Sequence, residues 1–279
     1  MWRRAARALC TAGYFVLDGA LSGSVAGALE REAHRLMPLM QPGRVGSGLE
    51  DHAVRTDVLW RHRRDEGQMV DANAKHMAAL HALFDAIPAG LNALSTPPPM
   101  EQQQQALEVC SSDSGDGAGC DEATTASDDG GSSVCSETWA LTHAEDLQFA
   151  CYRSGGYYKR HSDAQNATRR VLTAIYYVNS KWKPADGGQL RLYNHGERDN
   201  NGEPTPMVEV EPRADRLLIF DSRLDHEVLP MAEAKAGGGK KKKKKGKQQP
   251  AGNTRCAMTQ WYQDLAPPLV QSALSTKPP

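Results

Sequence analysis

The chain has 279 residues, enough for one or two domains, and its 33 Lys and Arg against 34 Asp and Glu leave a formal charge of −1. That balance predicts no general attraction to nucleic acid or to a membrane surface, and no run of about 20 apolar residues stands out as a membrane span. The six cysteines form no Cys-x-x-Cys pair, so neither a zinc site nor a disulfide framework is indicated, and Cys151 and Cys256, set in apolar runs, read as reduced core residues.

In chain order, residues 1–10 are basic and free of acid, and predict a short helix that runs at once into a strand-like stretch at 13–18. Val25, Leu29, Ala33 and Leu36 then recur at helical spacing until Pro38 stops them. The glycine-rich stretch 41–50 reads as a mobile connection. A second helix follows, in which Met77, Leu80, Phe84, Ile87, Leu91 and Leu94 form one apolar stripe, and Pro88 is expected to kink or split it. His76 and His81 are five positions apart, do not share a helix face, and read as non-ligands. Residues 96–138 are a low-complexity insert. From 110 to 138 there are seven acidic residues and no lysine or arginine, a composition that cannot bury enough surface to order itself.

The chemistry lies further on. The runs 147–152 and 157–163 have strand character and are separated by the turn-forming Ser154, Gly155 and Gly156. In a strand, residues i and i+2 point to the same side, so His161 and Asp163 can face one ion while Ser162 faces away. The strand-like run 215–220 delivers His226, and Arg255 opens the strand-like run 255–262. Two imidazoles and a carboxylate are the set that holds ferrous iron on one face and leaves the opposite face open. Three free positions suit a bidentate 2-oxo acid and dioxygen, and Arg255 offers a planar cation able to grip a distal carboxylate with two parallel hydrogen bonds.

Several stretches together resemble one family, the prolyl hydroxylase domain oxygenases of the type that hydroxylates hypoxia-inducible factor. They are Phe149-Ala150-Cys151-Tyr152, Gly156-Tyr157-Tyr158-Lys159-Arg160-His161-Ser162-Asp163 and Thr173-Ala174-Ile175-Tyr176-Tyr177-Val178-Asn179. Gly187-Gly188-Gln189-Leu190-Arg191-Leu192, His226-Glu227-Val228-Leu229-Pro230 and the run from Arg255 continue the resemblance in order. It covers residues 145–264, with a weaker extension to 13–18 and 55–60, which look like the family's early strands. The resemblance implies an α+β fold: a double-stranded β-helix (jelly-roll or cupin-like) barrel braced by N-terminal helices. Residues 1–95 would form the N-terminal helix and strand part, and 139–279 the catalytic core, with a Lys-rich loop insert at 232–253.

By the same resemblance, His161, Asp163 and His226 are the metal ligands. Arg255 and Tyr177 hold the distal carboxylate of 2-oxoglutarate, Tyr152 lines the co-substrate pocket, and Trp261 stands on the substrate side. Fe(II), 2-oxoglutarate and O2 are the implied cofactor and co-substrates, with ascorbate as reductant. The implied reaction hydroxylates a prolyl residue of a protein substrate and decarboxylates 2-oxoglutarate to succinate and CO2, with no catalytic residue beyond the metal centre. The collagen-type and cell-wall-type prolyl 4-hydroxylases use lysine where this chain has Arg255. The same motifs are compatible with oxidation of another residue or a small molecule, and with a catalytically silent module that binds a proline-containing peptide.

The unbroken run from Lys240 to Lys245, followed by Lys247, lies between the His226 and Arg255 runs. Stretching a hairpin loop severalfold costs only about 1–2 kcal/mol, so a barrel can carry it. The run has three readings: a solvated loop, a nuclear import signal, or a contact for an anionic partner. Cytoplasm, nucleus or both is the expected location; no nucleic-acid or membrane partner is expected.

Overall fold

The structure, a computed structural model, describes residues 1–43, 54–61, 74–95, 139–164, 169–233 and 254–264. The insert 96–138, most of the stretch 41–50, Cys110, Cys120, Cys135 and the lysine run lie outside the described residues.

Helix α1 (Trp2–Ala12) ends where Gly13 turns left-handed, and strand β1 (Tyr14–Asp18) follows directly. Helix α2 (Gly23–Leu36) starts at Ser22, whose side chain accepts from the Val25 N–H, and Pro38 lies in the tighter turn Met37–Leu39 beyond its end. Strands β2 (Gln41–Pro42), β3 (Val54–Arg55) and β4 (Asp57–Arg61) precede helix α3 (Ala74–Ser95). Then come β5 (His143–Ala144), β6 (Leu147–Tyr152), β7 (Tyr157–His161), β8 (Arg170–Tyr177), β9 (Leu190–Arg198), β10 (Pro204–Val210), β11 (Arg216–Asp221), β12 (His226–Val228) and β13 (Arg255–Gln263).

Two antiparallel sheets result. The larger runs β1-β11-β8-β13-β6-β4-β2, with β5 also on β13, and the smaller runs β10-β9-β12-β7-β3. This is the double-stranded β-helix. The stretch 55–60 is not one strand: it breaks at Thr56, so β3 joins the smaller sheet and β4 the larger.

Alternation along the strands gives the larger sheet two different faces. Leu172, Ala174 and Tyr176 of β8, with Met258 and Tyr262 of β13, pack into one cluster with Leu9, Leu29, Phe84 and Leu91 of the helices. The interleaved Ile175, Tyr177 and Ala257 turn to the other side, against Leu190 and Leu192 of the smaller sheet. Gly90 of α3 permits close packing on α1, since a Cβ there would run into the Trp2 ring.

Three expectations are corrected here. Of the kink or split expected at Pro88, the split does not occur: one helix runs from Ala74 to Ser95. Proline removes the N–H that would bond the Phe84 carbonyl, and the Tyr262 hydroxyl donates to that carbonyl instead, at 2.8 Å. Second, Lys75–Leu94 is long and apolar enough to cross a membrane by length and composition alone. Its stripe of Met77, Leu80, Phe84, Ile87 and Leu91 is nonetheless buried in the core of this fold. Third, Cys151 and Cys256 are not reduced: they form a disulfide. The register of β6 on β13 sets them directly opposite each other, with Cα atoms 4.2 Å apart, on the helix side of the sheet.

Candidate active site

His161 ends β7 and His226 begins β12, and the pairing of these strands puts the two residues directly opposite. Their ring centroids are 4.2 Å apart. Asp163 lies just beyond β7, in the loop after it rather than in the strand. Its carboxylate is 3.6 Å from His161 Nε2 through Oδ1 and 3.6 Å from His226 Nε2 through Oδ2. Among the described residues, this is the group of His, Cys, Asp and Glu side chains that could hold a metal, with all three ligand atoms within 4.8 Å of one another.

Their protonation suits a cation. His161 Nδ1 is 2.9 Å from the Lys159 carbonyl and His226 Nδ1 is 3.0 Å from the Leu224 carbonyl. A carbonyl can only accept, so each Nδ1 carries a proton, and Nε2 is the nitrogen each ring turns toward Asp163 for a cation. Burial, with the neighbouring His161, pushes the His226 imidazole down to about 4, so it is neutral at neutral pH. Burial alone would raise the Asp163 carboxyl. The facing His226 and His161, together with the Trp261 indole N–H, outweigh it and hold the group well below the usual carboxylate range. Two imidazole nitrogens and one carboxylate fit a divalent iron with an open face.

Arg255 stands at the head of β13, opposite Tyr152 of β6. Its side chain is 2 % exposed. Nε donates to the Gly188 carbonyl at 3.1 Å, Nη2 reaches the Tyr177 hydroxyl at 3.5 Å, and the guanidinium lies over the Tyr152 and Tyr177 rings at 4.7 and 5.1 Å. Gly188 must be glycine, because its φ of 76° is left-handed and a Cβ would strike Met231 Sδ. No carboxylate among the described residues pairs with Arg255. Burial raises the Tyr152 and Tyr177 phenols, although Arg255 pulls the other way, so both remain donors.

A cavity of about 610 Å³ joins these groups, with the three candidate ligands, Arg255, Tyr152 and Trp261 on its wall. Tyr177 is not among its lining residues; it sits behind Arg255. Trp261, expected on the substrate side, lines the cavity, and its indole N–H donates to Asp163 Oδ2 at 2.9 Å. Sequence reasoning missed Thr173, whose hydroxyl donates to the same oxygen at 2.8 Å, and Ser222, 2.9 Å from Thr173. Counting back by twos from Tyr177 through Ile175 would have found Thr173 on the inward face.

A family model described as the 2OG-Fe(II) oxygenase superfamily matches residues 147–263. Residues 147–263 form a 2OG-Fe(II) oxygenase domain. Over 119 residues the chain is 36% identical to Egl nine homolog 1 of Rattus norvegicus and 37% identical to Prolyl hydroxylase EGLN3 of Mus musculus. Each match covers 41% of this chain but only 27% and 38%, respectively, of those relatives, so the chain spans well under half of their length. Among solved structures, a prolyl hydroxylase from Trichoplax adhaerens, in complex with a hypoxia inducible factor oxygen degradation domain peptide fragment, matches with a TM-score of 0.61 at 20% identity. That match covers 94% of this chain and 89% of the other. A Pseudomonas putida prolyl-4-hydroxylase matches at 0.56 and 21%, covering 95% and 100%. At those identities the structures establish the oxygenase domain's fold. The sequence matches establish its homology with the EGLN prolyl hydroxylases.

Proposed function

We propose that this chain is an Fe(II)- and 2-oxoglutarate-dependent dioxygenase that hydroxylates a prolyl residue of a protein substrate. The observation that carries the reading is Arg255: a permanently charged guanidinium buried on the wall of the cavity that holds His161, Asp163 and His226, without a carboxylate of its own among the described residues. A buried cation lacking an anion is costly, and a dicarboxylate ligand supplies what it lacks. Protein proline is favoured by the homologous prolyl hydroxylases.

In this reading His161, Asp163 and His226 hold the metal, and Arg255 forks the distal carboxylate. Tyr177 acts through its hydroxyl beside Arg255, and Tyr152 forms the wall of the same pocket. Bound iron and its co-substrates supply the oxidation, in which one oxygen atom of O2 enters the substrate and the other enters succinate as CO2 leaves. The chain's own contribution is placement and dryness: Val58, Ile175, Leu190 and Val228 line the cavity with apolar surface that keeps bulk water from the reacting centre. No side chain is assigned a general acid or base role.

The test is purified protein with ferrous iron, ascorbate, 2-oxoglutarate and air, with and without a lysate of its own cells. Succinate should form slowly alone and faster with lysate, and proline-containing peptides should gain one oxygen in mass spectrometry. Oxygen gained only on other residues or on small molecules would move the substrate class. Absence of both succinate and iron binding would leave a silent peptide-binding module.

A further inference from the structure

Asp163 lies outside the strand that carries His161, so something other than strand geometry must orient its carboxylate. A chain of contacts leads away from it. Trp261 Nε1 and the Thr173 hydroxyl both donate to Oδ2. The Trp261 ring in turn lies under Arg170, whose guanidinium carbon is 4.2 Å from the ring centroid. Arg170 is held there by a fork: Nε and Nη2 donate to Oε1 and Oε2 of Glu145 at 2.7 and 2.6 Å. Both side chains of that pair are largely buried, at 18% and 17% exposure.

Glu145 is itself tied to Trp261. Its backbone N–H donates to the Trp261 carbonyl at 2.9 Å, and its own carbonyl accepts from Gln260 Nε2 at 2.8 Å. Gln263 Nε2 donates to its Oε1 at 2.8 Å. One residue therefore grips Trp261 at the backbone and, through Arg170, at the ring.

We propose that Glu145 is a positioning residue for the metal ligand Asp163, acting through Arg170 and Trp261; this rests on the metal-centre reading above. Two physical effects support it. The torsion that turns an indole about its bond to Cβ has a broad profile, so the ring needs a partner to hold its N–H on Oδ2. A bidentate, charge-assisted fork is a strong way to fix the cation that covers the ring. The second effect is competition. Arg170 Nη1 is already 4.0 Å from Asp163 Oδ1. Glu145 keeps that guanidinium occupied; without it Arg170 turns to Asp163 and competes with the metal for the carboxylate.

The experiment is titration of the apo protein with Co(II), read by the visible absorption that reports coordination geometry, alongside thermal unfolding. Glu145→Ala should weaken cobalt binding about tenfold and alter the absorption envelope, as loss of a partner behind a metal ligand typically does. Glu145→Gln, which keeps an acceptor for Arg170, should recover part of the loss. Trp261→Phe keeps a ring under Arg170 but removes the N–H, and should weaken binding to a similar degree, giving a second route if Glu145→Ala does not fold. Folded variants that bind cobalt with unchanged affinity and spectrum overturn the positioning role. Failure of the underlying reading looks different: the unmodified protein would then bind no cobalt, or Asp163→Ala would bind it equally well.

Discussion

The two faces of the larger sheet are built from the same strands but make different contacts. On β13, Cys256, Met258 and Tyr262 turn toward the helices, whereas Arg255, Thr259 and Trp261 line the cavity. On β8, Leu172, Ala174 and Tyr176 pack in the core cluster with the helices, and Thr173, Ile175 and Tyr177 turn inward. All are buried, so burial does not separate them; polarity and partners do. The helix-side residues pack against apolar neighbours, pair as a disulfide, or place a tyrosine hydroxyl on an acceptor, Tyr262 on the Phe84 carbonyl and Tyr176 on Asp215. The cavity side holds cations, a carboxylate and hydroxyls whose partners include one another, and in the case of Arg255 include no anion among the described residues. The first face stabilises the fold, and the second presents a buried cation that an anionic ligand could pair with.

Substitutions on the two faces should therefore separate. The largest effect is expected at Asp163→Ala, which removes the anionic ligand: iron binding and succinate formation should fall to background while the protein still unfolds cooperatively. On the helix side, Phe149→Ala should cost about 3–5 kcal/mol of stability, read from the urea midpoint, because it empties a fully packed site. At a temperature where it remains folded, its iron affinity should match the unmodified protein. If Phe149→Ala instead weakens iron binding while Asp163→Ala leaves it intact, the division of labour is wrong.

A pH series sharpens the comparison. His226 has its folded value pushed down from 6.5 to about 4, so the fold favours the neutral ring. As pH falls, the unfolded chain takes up that proton first, and the apo protein should lose stability between roughly pH 6.5 and pH 4, by on the order of 3 kcal/mol. His226→Gln should flatten denaturant midpoints across that window; an unchanged slope in the variant would assign it to other groups. A smaller effect is expected at Tyr262→Phe. It leaves the Phe84 carbonyl opposite Pro88 without its donor and should cost about 1–3 kcal/mol with no change in co-substrate affinity.

Much of the site could be read from the sequence because its chemistry demands particular residue types. His161, Asp163 and His226 are the side chains an open-faced ferrous site needs, and Arg255 at the head of an apolar strand had few other uses. The strand character of β8 and β13 was equally visible. What could not be read depends on register between distant segments. The Cys151–Cys256 disulfide exists because β6 and β13 pair with those residues opposite. Helix α3 runs through Pro88 because a tyrosine from the last strand reaches its orphan carbonyl. The Glu145–Arg170–Trp261 relay behind Asp163 draws on β8, β13 and the link between β5 and β6, and nothing local in any of them marks it. Thr56 divides what reads as one strand between two sheets, a choice set by which neighbour each half meets.

The account turns on Arg255 as the anchor for the far end of a diacid beside the metal. Its most direct test is anaerobic titration of the ferrous protein with 2-oxoglutarate and, separately, with pyruvate, followed by the visible absorption that appears when a 2-oxo acid chelates ferrous iron. Arg255→Met should weaken 2-oxoglutarate binding on the order of a hundredfold, as loss of a paired charge-assisted contact does, and leave the weaker binding of pyruvate, which has no distal carboxylate, unchanged. Equal loss for both acids, or no loss for 2-oxoglutarate, would contradict it.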